Sequence, residues 1–173
     1  MRKLSKRQPT LRKLSKRAEI DKEKFITEMR QVVKNDPIII KKFEEYGVSL
    51  NDIDDVHVEF CNMDVSAKTK DKKIYLNEAM LSDDSSVSDP THYLVHELVH
   101  YLQQATGKNI DKGKAEDEYL DKPTEEEAFS TQINFKKREE GESEAEEYLE
   151  GLLDHHDLIG NKRKDKKEEL LDE

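Results

Sequence analysis

The pentapeptide His96-Glu97-Leu98-Val99-His100 constrains this 173-residue chain more tightly than any other stretch. Two imidazoles four residues apart share one face of an α-helix, so the spacing has a chemical meaning only if the segment is helical. On that face both rings reach a single metal ion while Glu97 reaches a water beside it, the arrangement of a zinc peptidase site. The flanking residues agree with a helix. Asp89 and Pro90 read as N-cap and first turn, Leu94, Val95, Leu98, Val99 and Leu102 form an apolar face, and Gly107 is a stop.

Periodicity upstream predicts two more helices between Asp21 and about Tyr46, divided at Pro37 with Asn35 or Asp36 as cap and ended by Gly47. Val56 to Phe60 and Lys73 to Asn77 alternate apolar and polar residues as half-buried strands do, with a third short strand at Val65 to Thr69 and a turn at Lys70-Asp71-Lys72. Residues 82–90 read as a polar loop. A second start signal, Asp121-Lys122-Pro123-Thr124, opens a helix running toward Lys137.

Hydrophobic residues make up 34% of the chain and charged ones 40%, a balance that predicts one compact centre with charged ends. The expected organisation is a basic flexible arm over 1–20, a single domain over 21–158 with its core in 55–135, and a charged tail over 159–173, frayed or disordered. The arm repeats itself, Arg2-Lys3-Leu4-Ser5-Lys6-Arg7 recurring at Arg12 to Arg17. Eight Lys or Arg and no acid fall in residues 1–17, which leaves 22 basic against 40 acidic residues elsewhere, a net of −18. The body therefore lacks the basic face that nucleic acid requires; only the arm offers one. The lone Cys61 excludes an intramolecular disulfide and a Cys-rich zinc module. Neither a secretory h-region nor a membrane-spanning apolar run is seen, so no membrane partner and a cytoplasmic setting are expected.

A hydrolytic zinc site takes three protein ligands and keeps one position for water or substrate. His92 extends the series to three histidines, but each i to i+4 step advances about 6 Å along the helix, too far for one ion to collect all three rings. His92 is accordingly expected to be an exposed first-turn residue. The helix at Pro123 carries Glu125, Glu126 and Glu127 in its first turn. Glu125 shares a face with Ala128, Phe129 and Gln132, Ala128 being small enough for close helix packing, whereas Glu127 lies about 200° away. Glu125 is thus favoured as third ligand, with Glu127 the alternative. The helix dipole alone would also account for acidic residues there. His57, on a strand, is read as structural, and Asp154-His155-His156-Asp157 as a solvated surface.

The run from Ile74-Tyr75-Leu76-Asn77 through His96 to Gln104, then Pro123 to Phe129, resembles small gluzincin-type metallopeptidases of phage and bacterial genomes, the minigluzincin and ImmA/IrrE-like groups. The resemblance covers about residues 55–135. It implies an α+β, zincin-like fold with N-terminal helices, a short, mostly antiparallel sheet, the motif helix and a glutamate-ligand helix. It also implies a Zn2+ ion on His96, His100 and Glu125, with Glu97 as general base in hydrolysis of a protein or peptide substrate. For a phage-encoded chain the setting would be host cytoplasm or virion. Strand Lys73 to Asn77 would be the sheet edge that pairs with substrate. Phe129 departs from the pattern, standing where such helices carry an Asn or Asp that supports a ligand histidine. Tyr101 and Tyr119 are the candidates for stabilising an oxyanion. The alternative function is a non-catalytic, zinc-stabilised structural or interaction protein; a charged adaptor with an accidental motif is the remaining reading.

Overall fold

Helix α1, Gln8–Asn35, ends where Asp36 caps the next helix, α2, Pro37–Tyr46, through a 2.8 Å bond from the Ile38 amide to its Oδ1. Pro37 at the first helical position needs no amide partner, and Gly47 closes α2 with a left-handed φ of +70°. The computed structural model describes residues 8–81, 88–108 and 119–171, with side chains from residue 22 onward except 88 and 89. The first copy of the basic repeat lies outside the described residues; the backbone of the second lies within α1.

Three short strands follow, β1 (Val58–Cys61), β2 (Ala67–Lys70) and β3 (Lys73–Asn77). β2 and β3 form a tight hairpin whose turn residues Asp71 and Lys72 both adopt positive φ. The Gln104 side chain clamps this hairpin end to the next helix, accepting from the Lys72 amide at 2.9 Å and donating to the Thr69 carbonyl at 3.3 Å. The sheet order is β1-β3-β2, with β3 parallel to β1 and antiparallel to β2. The sheet is therefore mixed rather than mostly antiparallel, because the link between β1 and β2 carries the chain across and leaves the hairpin's return strand to fill the gap. This also corrects the expected substrate edge: β3 is paired on both sides, and the edge strands are β1 and β2, of which β2 lines the cleft described below.

Helix α3, Ser88–Thr106, carries the pentapeptide and stops at Gly107, φ +72°. Helix α4 is Pro123–Glu140, α5 is Glu142–His155, and α6 is Gly160–Leu171. The expected frayed tail is thus a helix. Leu170 is fully buried, and Lys166 reaches Asp121 and Glu169 at 2.7 Å, so two inward residues dock a segment that otherwise reads as solvated charge. Of the expected loop over 82–90, residues 82–87 lie outside the described residues and 88–90 open α3; most of the linker after Gly107 also lies outside the described residues.

The fold is α+β and mostly helical, with two apolar clusters. The first gathers α1, α2, the sheet and the inner face of α3, around Met29, Phe43, Ile74, Leu76, Leu98 and Leu102. The second holds α4, α5 and α6 together through Phe129, Ile133, Leu149, Leu153 and Leu170. α3 and α4 pack against each other where the clusters meet, and Ala128, fully buried, permits the approach. Among the described residues no helix is long and apolar enough to cross a membrane.

Candidate metal centre

α3 turns its apolar residues Leu94, Val95, Leu98 and Leu102 into the first cluster, which leaves His96 and His100 facing α4. The first turn of α4 brings Glu125 between them. Glu125 Oε2 lies 3.2 Å from His96 Nε2, Glu125 Oε1 lies 3.1 Å from His100 Nε2, and the two Nε2 atoms are 3.2 Å apart. Among the described residues, these three are the group of potential ligands whose atoms converge on one point. A tetrahedral ion with bonds of about 2.0–2.1 Å holds its ligand atoms about 3.3–3.4 Å apart. The two nitrogens are close to that separation, and each has a different oxygen of Glu125 beside it, so one carboxylate oxygen would turn toward both to complete the set, all three ligand atoms already lying within 4.8 Å of one another. Two nitrogens and a carboxylate suit zinc, although the donor set does not select zinc alone.

The three glutamates of that turn have three different partners. Glu125 faces the histidines. Glu126 lies 3.4 Å from Lys166 of α6, and Glu127 bonds to Tyr46 and to Lys42 of α2, the latter at 3.3 Å. Successive helical residues point about 100° apart, so one face serves the site while its neighbours anchor the helix on both flanks. The rival ligand Glu127 is therefore a support, and its carboxyl is held below the ordinary range by Tyr46, Gln103 and Lys42, against the opposing effect of burial.

Each histidine has a glutamine behind it. Gln103 Oε1 accepts from His100 Nδ1 at 2.8 Å, while Gln103 Nε2 donates to the Thr124 carbonyl at 3.1 Å and to Glu127 Oε1 at 2.9 Å. Gln132 Oε1 accepts from His96 Nδ1 at 2.9 Å. Placing the proton on Nδ1 leaves each Nε2 lone pair free for a cation. The support behind His96 is thus Gln132, and Phe129 packs its ring edge-on to His96, centroids 4.4 Å apart. Helical periodicity had put Gln132 on the Glu125 face, two turns along, which was the one signal of its role.

Glu97 is 4% exposed and sits beside the triangle. The Thr69 hydroxyl of β2 is shared between the Glu97 carbonyl at 3.1 Å and its Oε1 at 3.2 Å, which ties the carboxyl to an edge strand of the sheet. Burial raises the carboxyl above its ordinary pKa, with the histidines pulling it partly back. For His100, burial opposes the charged form, but the hydrogen bond and charge of Glu125 prevail and hold its pKa up to about 9. A cation entering the triangle replaces that proton.

A cleft opens onto these groups between β2 with the residues just before it, Asp64 to Thr69, on one side and α5 on the other. Tyr119 stands at its rim; burial, the Glu125 charge and a hydrogen bond to Glu125 raise its hydroxyl pKa. Tyr101 instead packs against the first apolar cluster, away from the cleft. His155 and His156 line the outer wall, His156 stacking on Tyr119 at 5.3 Å, while His57 faces solvent and pairs with Glu59.

His92 corrects the expectation of exposure. It is 4% exposed and accepts from Gln132 Nε2 at 2.7 Å, so it belongs to the layer behind the ligands and not to the ligand set. No family model matches the chain, and no curated protein and no solved structure matches it.

Proposed function

We propose that the chain is a zinc-dependent peptidase of the small gluzincin type, with His96, His100 and Glu125 as ligands and Glu97 as general base. The observation that carries this reading is the convergence of the three ligand atoms within 4.8 Å of one another, reached from two helices, with a buried carboxylate alongside. Zinc in such a site supplies Lewis acidity, which makes water nucleophilic near neutral pH and polarises a carbonyl.

The chain's own residues do the rest. An extended peptide pairs with the unpaired side of β2, whose backbone groups fix register without demanding a sequence. Glu97, oriented by Thr69 of β2, takes a proton from the attacking water and passes it to the departing amine. Its raised pKa suits both steps, since a base that must later donate works best near the operating pH. Tyr119, already directed at Glu125, donates to the oxygen on which charge develops.

The decisive experiment compares Glu97→Gln with the parent for bound zinc and for cleavage of an unfolded protein. Both should hold about one zinc per chain, and cleavage should fall by roughly 10²–10⁴-fold in the variant. Cleavage by Glu97→Gln at the parental rate sinks the assignment. A parent that holds zinc but cleaves neither unfolded nor partner proteins points to a structural zinc site.

A further inference from the structure

We propose that His92 is a positioning residue for His96, acting through the amide of Gln132; the inference rests on the metal site assigned above. Gln132 is fully buried, and each end of its amide is committed. Its oxygen accepts from His96 Nδ1 at 2.9 Å, and its nitrogen donates to His92 Nδ1 at 2.7 Å and to the Tyr148 hydroxyl at 3.0 Å.

An amide presents its oxygen to His96 only if the groups at its other end accept hydrogen bonds. For Gln103, behind His100, this is assured, because a peptide carbonyl and a carboxylate have no proton to offer. For Gln132 it is conditional, because an imidazole and a phenol can each donate or accept. His92 accepts at Nδ1 only as the neutral tautomer with its proton on Nε2. Burial favours that neutral ring and lowers its pKa to about 3. Were Nδ1 of His92 to carry the proton, the amide would turn, its nitrogen would face His96, and the His96 proton would move to Nε2. That atom is the one directed at His100 and Glu125. The helical series His92, His96, His100 is thus used across two layers: the second and third residues hold the ion, and the first sets the tautomer of the second.

The zinc-free protein offers a direct readout, because ¹⁵N NMR of the imidazoles reports which nitrogen carries the proton. In the parent, His92 should be the neutral ring with its proton on Nε2, and His96 should carry a proton on Nδ1, toward the Gln132 oxygen; His100, which faces Glu125, serves as the internal comparison. His92→Leu should shift His96 toward the Nε2-protonated form while leaving His100 unchanged, and weaken zinc binding, measured by chelator competition, by about 10–100-fold. His92→Asn, which sets an acceptor oxygen near the place of Nδ1, should stay within about threefold of the parent. Tyr148→Phe, which removes the second acceptor with little loss of packing, should move His96 in the same direction as His92→Leu and serves if that variant fails to fold. A parental His92 protonated at Nδ1 overturns the proposal. So does an unaltered His96 tautomer with parental zinc affinity in His92→Leu, or in Tyr148→Phe where that variant stands in. A parent that binds no zinc defeats the peptidase reading, yet the tautomer measurements still judge the relay.

Discussion

α3 and α4 contribute to the same site but are held in opposite ways. α3 lies against one core: Leu94, Val95, Leu98 and Leu102 share one side, and of its buried polar residues His92, His96, Glu97 and Gln103 serve the site. α4 lies between two cores, with Phe135 in the first cluster and Phe129 and Ile133 in the second, while Ser130, Thr131, Gln132 and Lys136 are buried among them. Its first turn is fixed by charged groups from α2 and α6. A helix against one core shows a clear apolar stripe; a helix bridging two cores must spread its apolar residues and rely on polar anchors for its rotation.

If that contrast is right, the largest effect comes from the apolar side of α3. Leu102 is fully buried in the first cluster. Leu102→Ala should cost about 2–5 kcal/mol, the range for deleting a packed leucine side chain. Urea denaturation measures it. A cost below about 1 kcal/mol would mean that packing does not hold α3 and would collapse the distinction between the helices.

The same contrast explains what was legible in the sequence. His96, Glu97 and His100 were readable because i to i+4 spacing is local, as were Asp36-Pro37, Gly47 and Gly107, whose effects act within one turn. Glu125 was reachable because Ala128, Phe129 and Gln132 marked its face. His92 was misread because the partner that lets it be buried, Gln132, lies forty residues away. The order of the strands is likewise a property of the crossover, and alternation along β3 is the same whether that strand is central or at an edge. α6 was hidden because Lys166, one of its two buried residues, is a lysine whose burial depends on Asp121, Glu126 and Glu169. The glutamines behind the histidines carry no sequence signature beyond their helical phase.

A middle-sized effect is expected from His92, the polar group on α3 that looks through Gln132 into α4. Its folded pKa, lowered to about 3 chiefly by burial, lies below the ordinary value of 6.5. Between these values the unfolded chain binds the proton and the folded chain does not, so this contribution to stability is present at neutral pH and is lost as pH falls through 6.5 toward 3. Going from pH 7 to pH 5 should cost about 2 kcal/mol, at about 1.4 kcal/mol per pH unit below 6.5. His100, whose folded pKa is raised, has its pH-dependent contribution between 6.5 and about 9, outside this window. His92→Asn should therefore flatten the slope between pH 6.5 and 5. An unchanged slope would show that His92 is protonated in the folded protein as readily as in the unfolded one.

The smallest effect should come from the polar anchor of α4. Lys166 Nζ lies 2.7 Å from Asp121 and 3.4 Å from Glu126, the residues that flank Tyr119 and Glu125, and donates to the Leu120 carbonyl at 3.2 Å. Burial opposes its charge, yet the bonds to Asp121 and Glu169 outweigh that and raise its pKa. Because the carboxylates are themselves about half exposed, solvent screens the attraction, and Lys166→Met should cost only about 1 kcal/mol. Methionine keeps the aliphatic stem, so the change isolates the charge. Salt then separates the two helices: at about 1 M NaCl the cost of Lys166→Met should shrink, while that of Leu102→Ala should hold or grow. A Lys166→Met penalty that ignores salt would mean that the Leu120 carbonyl, and not the ring of carboxylates, is what docks α6 beside the glutamate turn.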